Sequence, residues 1–215
     1  MNLSEKFRNL LKGKYLFHLH TKYTDGLNSP DDYCSWASKN GYNAVVFTEH
    51  VRKQLLYDFH TFLSDIENTK SKFPDVDTWV GAETKILPEG QLDIPEDLLP
   101  ETKIICFACH SFPQDCGLYE KSFKKLFTEK KWKKHIRVWV HPGYFLKKSE
   151  ILDTKLDLLD ELISSAVREG IFIEHNLKYA LPTSAIIKNI PQTSLITGLD
   201  AHCVEDVVKF SPKQQ

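Results

Sequence analysis

The chain has 215 residues, 41% of them hydrophobic and 27% charged, with a net charge of -1. A length of this order builds one sizeable core, so residues 1–215 are expected to form one domain, and the charge balance excludes a bulk nucleic-acid binder. The polar, amphipathic start from Met1 to Lys14 is not a secretory leader, no apolar run reaches membrane-spanning length, and five dispersed cysteines fit reduced thiols in the cytoplasm.

In chain order, Asn2 to Leu11 has the spacing of a short helix, with Leu3, Phe7, Leu10 and Leu11 on one face. A strand follows over Lys14 to His18. Ser29-Pro30-Asp31-Asp32 is a helix start, with Ser29 as N-cap and Pro30 as the first helical residue. Asn43 to Thr48 is a fully apolar strand of the buried parallel kind, running into Glu49-His50. Gln54 to Phe73 has helical spacing, with apolar residues at Leu55, Leu56, Phe59, Phe62, Leu63 and Ile66. Asp77 to Val80 is a strand leading into Gly81-Ala82-Glu83. Lys85 to Pro100 is less regular, with a short strand at Gln91 to Ile94 and a helical turn opened by Pro95.

Lys103 to Cys109 is a strand ending at His110. Cys106 and Cys109 lie three apart in it, on opposite faces, and are expected to be small core residues rather than a redox or zinc pair. Tyr119 to Lys133 is a basic helix, and Ile136 to Val140 a strand ending at His141-Pro142. Lys147 to Glu169 holds a helix capped at Asp153. Ile171 to Ile173 is a strand ending at Glu174, and Ser184 to Asn189 a short helix. Ser194 to Thr197 is the last strand. It is followed by Gly198-Leu199-Asp200-Ala201-His202 and a terminal helix to Phe210. This alternation means α/β architecture, a parallel sheet with outer helices, either a barrel or an open doubly wound sheet.

What ends each strand carries the chemistry. In order these are His18 and His20, His50, Glu83, His110, His141, Glu174, then Asp200 and His202. Six of the nine histidines stand at strand carboxyl ends. On a barrel those ends converge on one face. On a strand, residues two apart share a side, so His18 and His20 can face one ion. Imidazole with carboxylate suits zinc, iron or manganese, and the ligands outnumber what one ion can use, so two or three ions are expected.

His18-x-His20 with Thr21-x-x-Thr24-Asp25-Gly26, then Thr48-Glu49-His50, Gly81-x-Glu83, His110, His141-Pro142 and Gly198-x-Asp200-Ala201-His202 together resemble the PHP (polymerase and histidinol phosphatase) domain, over residues 14–204. The resemblance implies a distorted seven-stranded, TIM-like (β/α)7 barrel holding up to three divalent ions. It implies one ion on His18, His20, Glu83 and Asp200. A second would lie on Glu83, His110 and His141, and a third on Asp25, His50 and His202. Thr24 stands where serine is frequent in such domains, and keeps the hydroxyl.

The chemistry expected from such a centre is hydrolysis of a phosphate ester by a metal-bridging hydroxide. Glu83 would bridge the ions, and Asp200 would orient the water or accept its proton. Arg52 and Lys178 are candidate substrate cations, with Arg52 the stronger. Lys22 and Lys85 are discounted, because basic residues are frequent in the chain. Glu174 is expected to hydrogen-bond a ligand imidazole rather than bind metal, and His175 to be structural. Tyr23, Phe112 and Tyr144 either wall the site or pack loops. The seven lysines between residues 119 and 134 read as a solvated face.

The expected substrate is a small phosphorylated molecule such as histidinol phosphate or a nucleotide. A phosphotyrosyl protein is a further candidate, and nucleic acid enters only as a substrate. Two other readings compete. One is a metal-dependent barrel of the amidohydrolase or TatD-like deoxyribonuclease type, which usually binds fewer ions. The other is a non-catalytic, metal-stabilised module acting with a partner, the chain having no room for a polymerase.

Overall fold

A computed structural model describes residues 2–211. Its strands are β1 (Tyr15–Leu19), β2 (Ala44–Val51), β3 (Asp77–Leu87), β4 (Gln91–Leu92), β5 (Ile104–Ala108), β6 (Ile136–Trp139), β7 (Phe172–Asn176) and β8 (Leu195–Gly198). Seven of them pair in parallel in the order β1-β2-β3-β5-β6-β7-β8, and two-residue β4 folds back antiparallel on β3. The ring closes where Leu19 bridges Ala201. There the Leu199 and Ala201 N–H groups donate to the Phe17 and His18 carbonyls at 3.0 Å, and His20 N–H donates to Ala201 at 2.9 Å. Of the two architectures open to the alternating pattern, the molecule therefore takes the barrel.

Helices α1 (Leu3–Leu10), α2 (Pro30–Lys39), α3 (Phe59–Lys72), α4 (Cys116–Thr128), α5 (Tyr144–Lys148), α6 (Leu156–Arg168), α7 (Ser184–Ile187) and α8 (Val204–Phe210) complete the fold. Ser29 caps α2 as the sequence indicates, in a capping box closed by Asp32. Two helices differ from their expected spans. Helix α3 starts at Phe59 because the Asp58 carboxylate accepts the His60 and Thr61 N–H groups, leaving Leu55 and Leu56 in the preceding loop. The long helix expected over Lys147 to Glu169 is split into α5 and α6. Glu150 turns into the left-handed region at φ 58°, and Asp153 caps nothing.

Two apolar layers hold the barrel. Phe17, Val46, Ile104, Cys106, Val138, Phe172 and Ile196 fill its interior, and a larger layer lies between strands and helices. Cys106 belongs to the inner layer and Cys109 to the outer, as their spacing requires. Burial pushes the Cys109 thiol up to about 12. Helix α1 contributes to the interior through Phe7, fully buried edge-on to Phe172 at 5.4 Å and tilted against Trp79 at 5.8 Å. Among the described residues no helix is long and apolar enough to cross a membrane.

A phenylalanine buried this completely leaves a cavity when truncated. Phe7→Ala should lower the unfolding free energy by about 3–5 kcal/mol in chemical denaturation; a loss below about 1 kcal/mol would show that α1 does not support the barrel.

Candidate metal centre

The strand ends deliver their side chains to one mouth of the barrel. Glu83, buried on β3, is the hub. Its Oε2 lies 3.3 Å from His18 Nε2, 3.2 Å from His20 Nε2 and 3.2 Å from His50 Nδ1. Its Oε1 lies 3.4 Å from His110 Nε2 and 3.5 Å from His141 Nε2. Asp25 Oδ2 stands 3.2 Å from His50 Nε2 and 3.3 Å from His202 Nε2. Asp200 Oδ1 is 3.6 Å from both His20 Nε2 and His202 Nδ1, and 3.9 Å from His18 Nε2. All nine side chains expected to bind metal are thus brought together.

Three of the strand ends reach the mouth only through strained backbone. His18, His141 and Asp200 have φ of 70°, 32° and 49°, a region that side chains rarely adopt. Each such residue costs on the order of 1–3 kcal/mol, and such strain collects at functional sites. His18 corrects the regular-strand expectation. Pairing of β1 with β2 shifts register between Phe17 and Leu19, and His20 lies beyond the strand. The two imidazoles still converge, with ring centroids 5.1 Å apart, but a bulge achieves it rather than the period of a strand.

The donors fit divalent ions. Nitrogen and oxygen ligands each about 2.0–2.2 Å from one ion and roughly 100–110° apart stand roughly 3.2–3.5 Å from each other. Those are the separations around Glu83 and Asp25. Both nitrogens of His20 and of His141, Nδ1 of His50 and Oε1 of Glu83 are buried without a hydrogen-bond partner. Buried polar atoms are rarely left unpaired, and an ion satisfies several at once.

Among the described residues, four overlapping groups could each hold an ion. They are His20, Asp25, His50 and His202; His18, His20 and Glu83; His18, His141 and Asp200; and Glu83, His110 and His141. The Glu83, His110 and His141 group matches the implied set. The set implied on His18, His20, Glu83 and Asp200 appears instead as two groups sharing His18. His20 also joins Asp25, so the sets interlock.

Charge follows the same layout. Burial opposes ionisation of Glu83, but His50 and the surrounding imidazoles outweigh it and hold its pKa well below the usual carboxylate range. Burial lowers His20 and His110 to about 4, keeping them neutral and suited to ligation. His50 is only half-buried; burial lowers it, yet Glu83 and Asp25 raise it to about 10. Burial opposes a charge on Asp25 as well, and the His202 and His50 hydrogen bonds overcome it.

Glu174 is fully buried and takes the orienting position expected of it. Its Oε1 pairs with His18 Nδ1 at 2.5 Å, while Oε2 accepts the His141 N–H at 2.6 Å and the Asn176 amide at 3.1 Å. Gly198 makes this possible, since a Cβ there would lie 1.8 Å from Glu174 Oε1. His175 stands off the site, half-buried.

Three contributors were not assigned roles from sequence. Glu49, buried on β2, accepts the Thr21 N–H at 2.8 Å and the Thr24 hydroxyl. It thereby clamps the loop bearing Asp25, and burial raises it to about 7. The retained hydroxyl at Thr24 therefore has a partner, and Gly26 is required because a Cβ would sit 2.2 Å from the His20 carbonyl oxygen. Tyr179 packs on Tyr144 at 4.6 Å and on His141 at 5.9 Å. Lys85, discounted on frequency, lines the cavity at the mouth with Arg52, Lys178 and Tyr179. The signal for both is positional: Lys85 lies two residues past Glu83 on β3, and Tyr179 three residues past the end of β7.

Arg52 donates to the Glu83 carbonyl at 2.7 Å and to Val51 at 2.9 Å. Lys178 donates to the Asp200 carbonyl at 3.0 Å and stands 3.7 Å from its carboxylate. Tyr144 packs on His110 and His141, whereas Phe112 packs away from the mouth on Tyr119 and Phe145. Of the lysines in this region, Lys124 pairs with Glu120 and Glu161 at 2.6 and 2.7 Å, and Lys133 with Glu169 at 3.0 Å, which supports a solvated surface.

Fold and cluster together define a parallel β/α barrel whose mouth carries side chains able to hold several metal ions. The sequence pattern of the PHP domain matches residues 17–178, and the chain belongs to the PHP domain family, whose members are generally metal-dependent phosphoesterases. It is also 26% identical over 200 residues to the DNA polymerase/3'-5' exonuclease PolX of Bacillus subtilis (strain 168), covering 87% of this chain and 34% of that protein. The chain thus spans about a third of the length of the relative it matches.

Removing one carboxylate oxygen from the partner of His18 should loosen the centre without touching a ligand. Glu174→Gln should weaken manganese or zinc binding roughly 10- to 100-fold in calorimetric titration; unchanged affinity would show that Glu174 does not orient the site.

Proposed function

We propose that this chain hydrolyses a phosphate ester at a centre of two or three divalent ions, zinc, manganese or iron, held by His18, His20, Asp25, His50, Glu83, His110, His141, Asp200 and His202. The observation that carries this reading is Glu83, a buried carboxylate within 3.5 Å of five imidazoles. A structural ion needs four ligands in a closed shell. Nine side chains exceed that need, and five of them, Asp25, His50, His110, Asp200 and His202, line an open, cation-rimmed cavity of about 360 Å³.

When bound, divalent ions supply a nucleophile from water at neutral pH and neutralise charge on phosphoryl oxygens. The residues do the rest. Glu83 offers one oxygen to each side of the cluster and so fixes the spacing of what it holds. Asp200, with one oxygen facing the imidazoles and Lys178 fastened to its backbone, is placed to orient the attacking water and take its proton. Arg52, tied through one nitrogen to backbone carbonyls, keeps donors for a substrate oxygen. Lys85 joins it on the same wall.

The substrate is a small phosphorylated molecule, with nucleic acid entering only as a substrate. Because the PolX relative is named as an exonuclease, a short oligonucleotide belongs among the compounds tried. Five free cysteines support a reducing, cytoplasmic setting, and residues 1–215 are taken as one domain.

A panel of phosphomonoesters and phosphodiesters, offered to protein loaded separately with manganese, iron and zinc, tests the reading. At least one ester should be cleaved, chelation should abolish cleavage, and His110→Ala, which removes a ligand, should lower it by at least the roughly 10- to 100-fold that loss of a ligand's supporting partner costs. No cleavage in any arm, or identical rates for the His110→Ala protein, would leave a metal-stabilised module as the better account.

A further inference from the structure

A second cavity, of about 330 Å³, opens beside the metal centre. Asp25, His50 and Arg52 form a wall common to both cavities. Beyond that wall the lining is mostly Tyr23, Leu55, Leu56 and Tyr57; its polar members are Gln54 and Thr24, whose hydroxyl is already given to Glu49. From this juxtaposition we infer that the second cavity is a subsite for an aromatic leaving group, its ring attached directly at the phosphoryl centre. The inference rests on the phosphoesterase reading above and names its substrate class.

The aromatic wall is built to hold its shape. Tyr23 lies 6.1 Å from Tyr57 and edge-on to Phe62 at 5.3 Å, and its hydroxyl donates to Asp65 at 2.5 Å. Tyr57 is backed by Phe59 and Phe62 of α3. Its own hydroxyl is buried without a hydrogen-bond partner, so the ring presents a face rather than a polar tip. The opposite side is Leu55 and Leu56, the two apolar residues that the Asp58 cap keeps out of α3. Leu56 is 94% exposed, which has no packing rationale, and its position on the cavity supplies one.

Chemistry separates the two cavities. The first has His110, His202, Arg52, Lys85 and Lys178 for an anion. The second carries a cation only at the shared wall, through Arg52 and His50, and beyond it offers mainly rings and aliphatic carbon, with Gln54 as an uncharged polar group. A group crossing from one to the other is charged at one end and apolar at the other. A planar ring suits the tyrosine faces, which favour offset or edge-on partners. A polyhydroxylated chain would find few partners there beyond the Gln54 amide.

Binding of non-hydrolysable phosphonates to the metal-loaded protein separates this inference from the catalytic one. Phenylphosphonate should bind at least about tenfold more tightly than methylphosphonate in calorimetric titration. Leu56→Asp, at a position too exposed to disturb folding, should erase most of that preference, and Tyr57→Leu, which keeps apolar bulk but loses the ring, should reduce it. Equal affinity for the two phosphonates, or a preference untouched by both substitutions, would overturn the subsite. A preference for adenosine 5'-monophosphate over ribose 5-phosphate, without one for phenylphosphonate, would also overturn it, because the ring would then sit away from the phosphoryl group. Failure of every ester to be hydrolysed counts against the catalytic reading and leaves these binding ratios standing.

Discussion

The structure turns on one buried carboxylate. Glu83 sits inside a barrel mouth, where an isolated charge would be strongly disfavoured, yet five imidazoles from four other strand ends point at its two oxygens. Neighbours so many and so evenly spaced make more sense around shared cations than around a carboxylate alone. Once Glu83 is fixed, the remainder follows as support. Glu174 holds His18, Glu49 holds the Asp25 loop, and Lys178 holds Asp200. Each support is itself a buried or half-buried polar group with a partner, so the site is rigid before anything binds.

The barrel supplies that rigidity. Parallel strands with helices outside bring every carboxyl end to one face, so side chains scattered over almost two hundred residues meet within a few ångströms. The strained backbone at His18, His141 and Asp200 shows where regular geometry was not enough. The apolar interior beneath, including Phe7 from α1, provides the packing against which such strain is held.

Much of the site was legible in the sequence because the signal was positional. A histidine or acid at the end of each apolar run needs no knowledge of packing, and the nine expected side chains do meet. What was illegible depended on contacts. No pattern announces that His18 bulges, and the result resembles a plain strand because the bulge returns both imidazoles to one side. Glu49 reads as part of a strand-end motif, and only burial and its two donors reveal a clamp. The start of α3 was misplaced because Leu55 and Leu56 continue a helical spacing that the Asp58 side chain interrupts. The same two residues line the second cavity, so the failure of local rules there coincides with a candidate functional surface. Lys85 is illegible for a different reason: a frequency argument weighs a lysine by its abundance, whereas a barrel weighs it by its place on the strand, here two residues past Glu83.

The central claim is that Glu83 joins metal ions rather than merely pairing with histidines. Elemental analysis of purified, manganese-saturated protein, with folding confirmed by circular dichroism, tests it directly. The wild-type chain should carry two or three ions, and Glu83→Gln, isosteric but uncharged, should retain no more than one. Equal metal content in the two proteins, or none in either, would contradict a carboxylate-bridged centre.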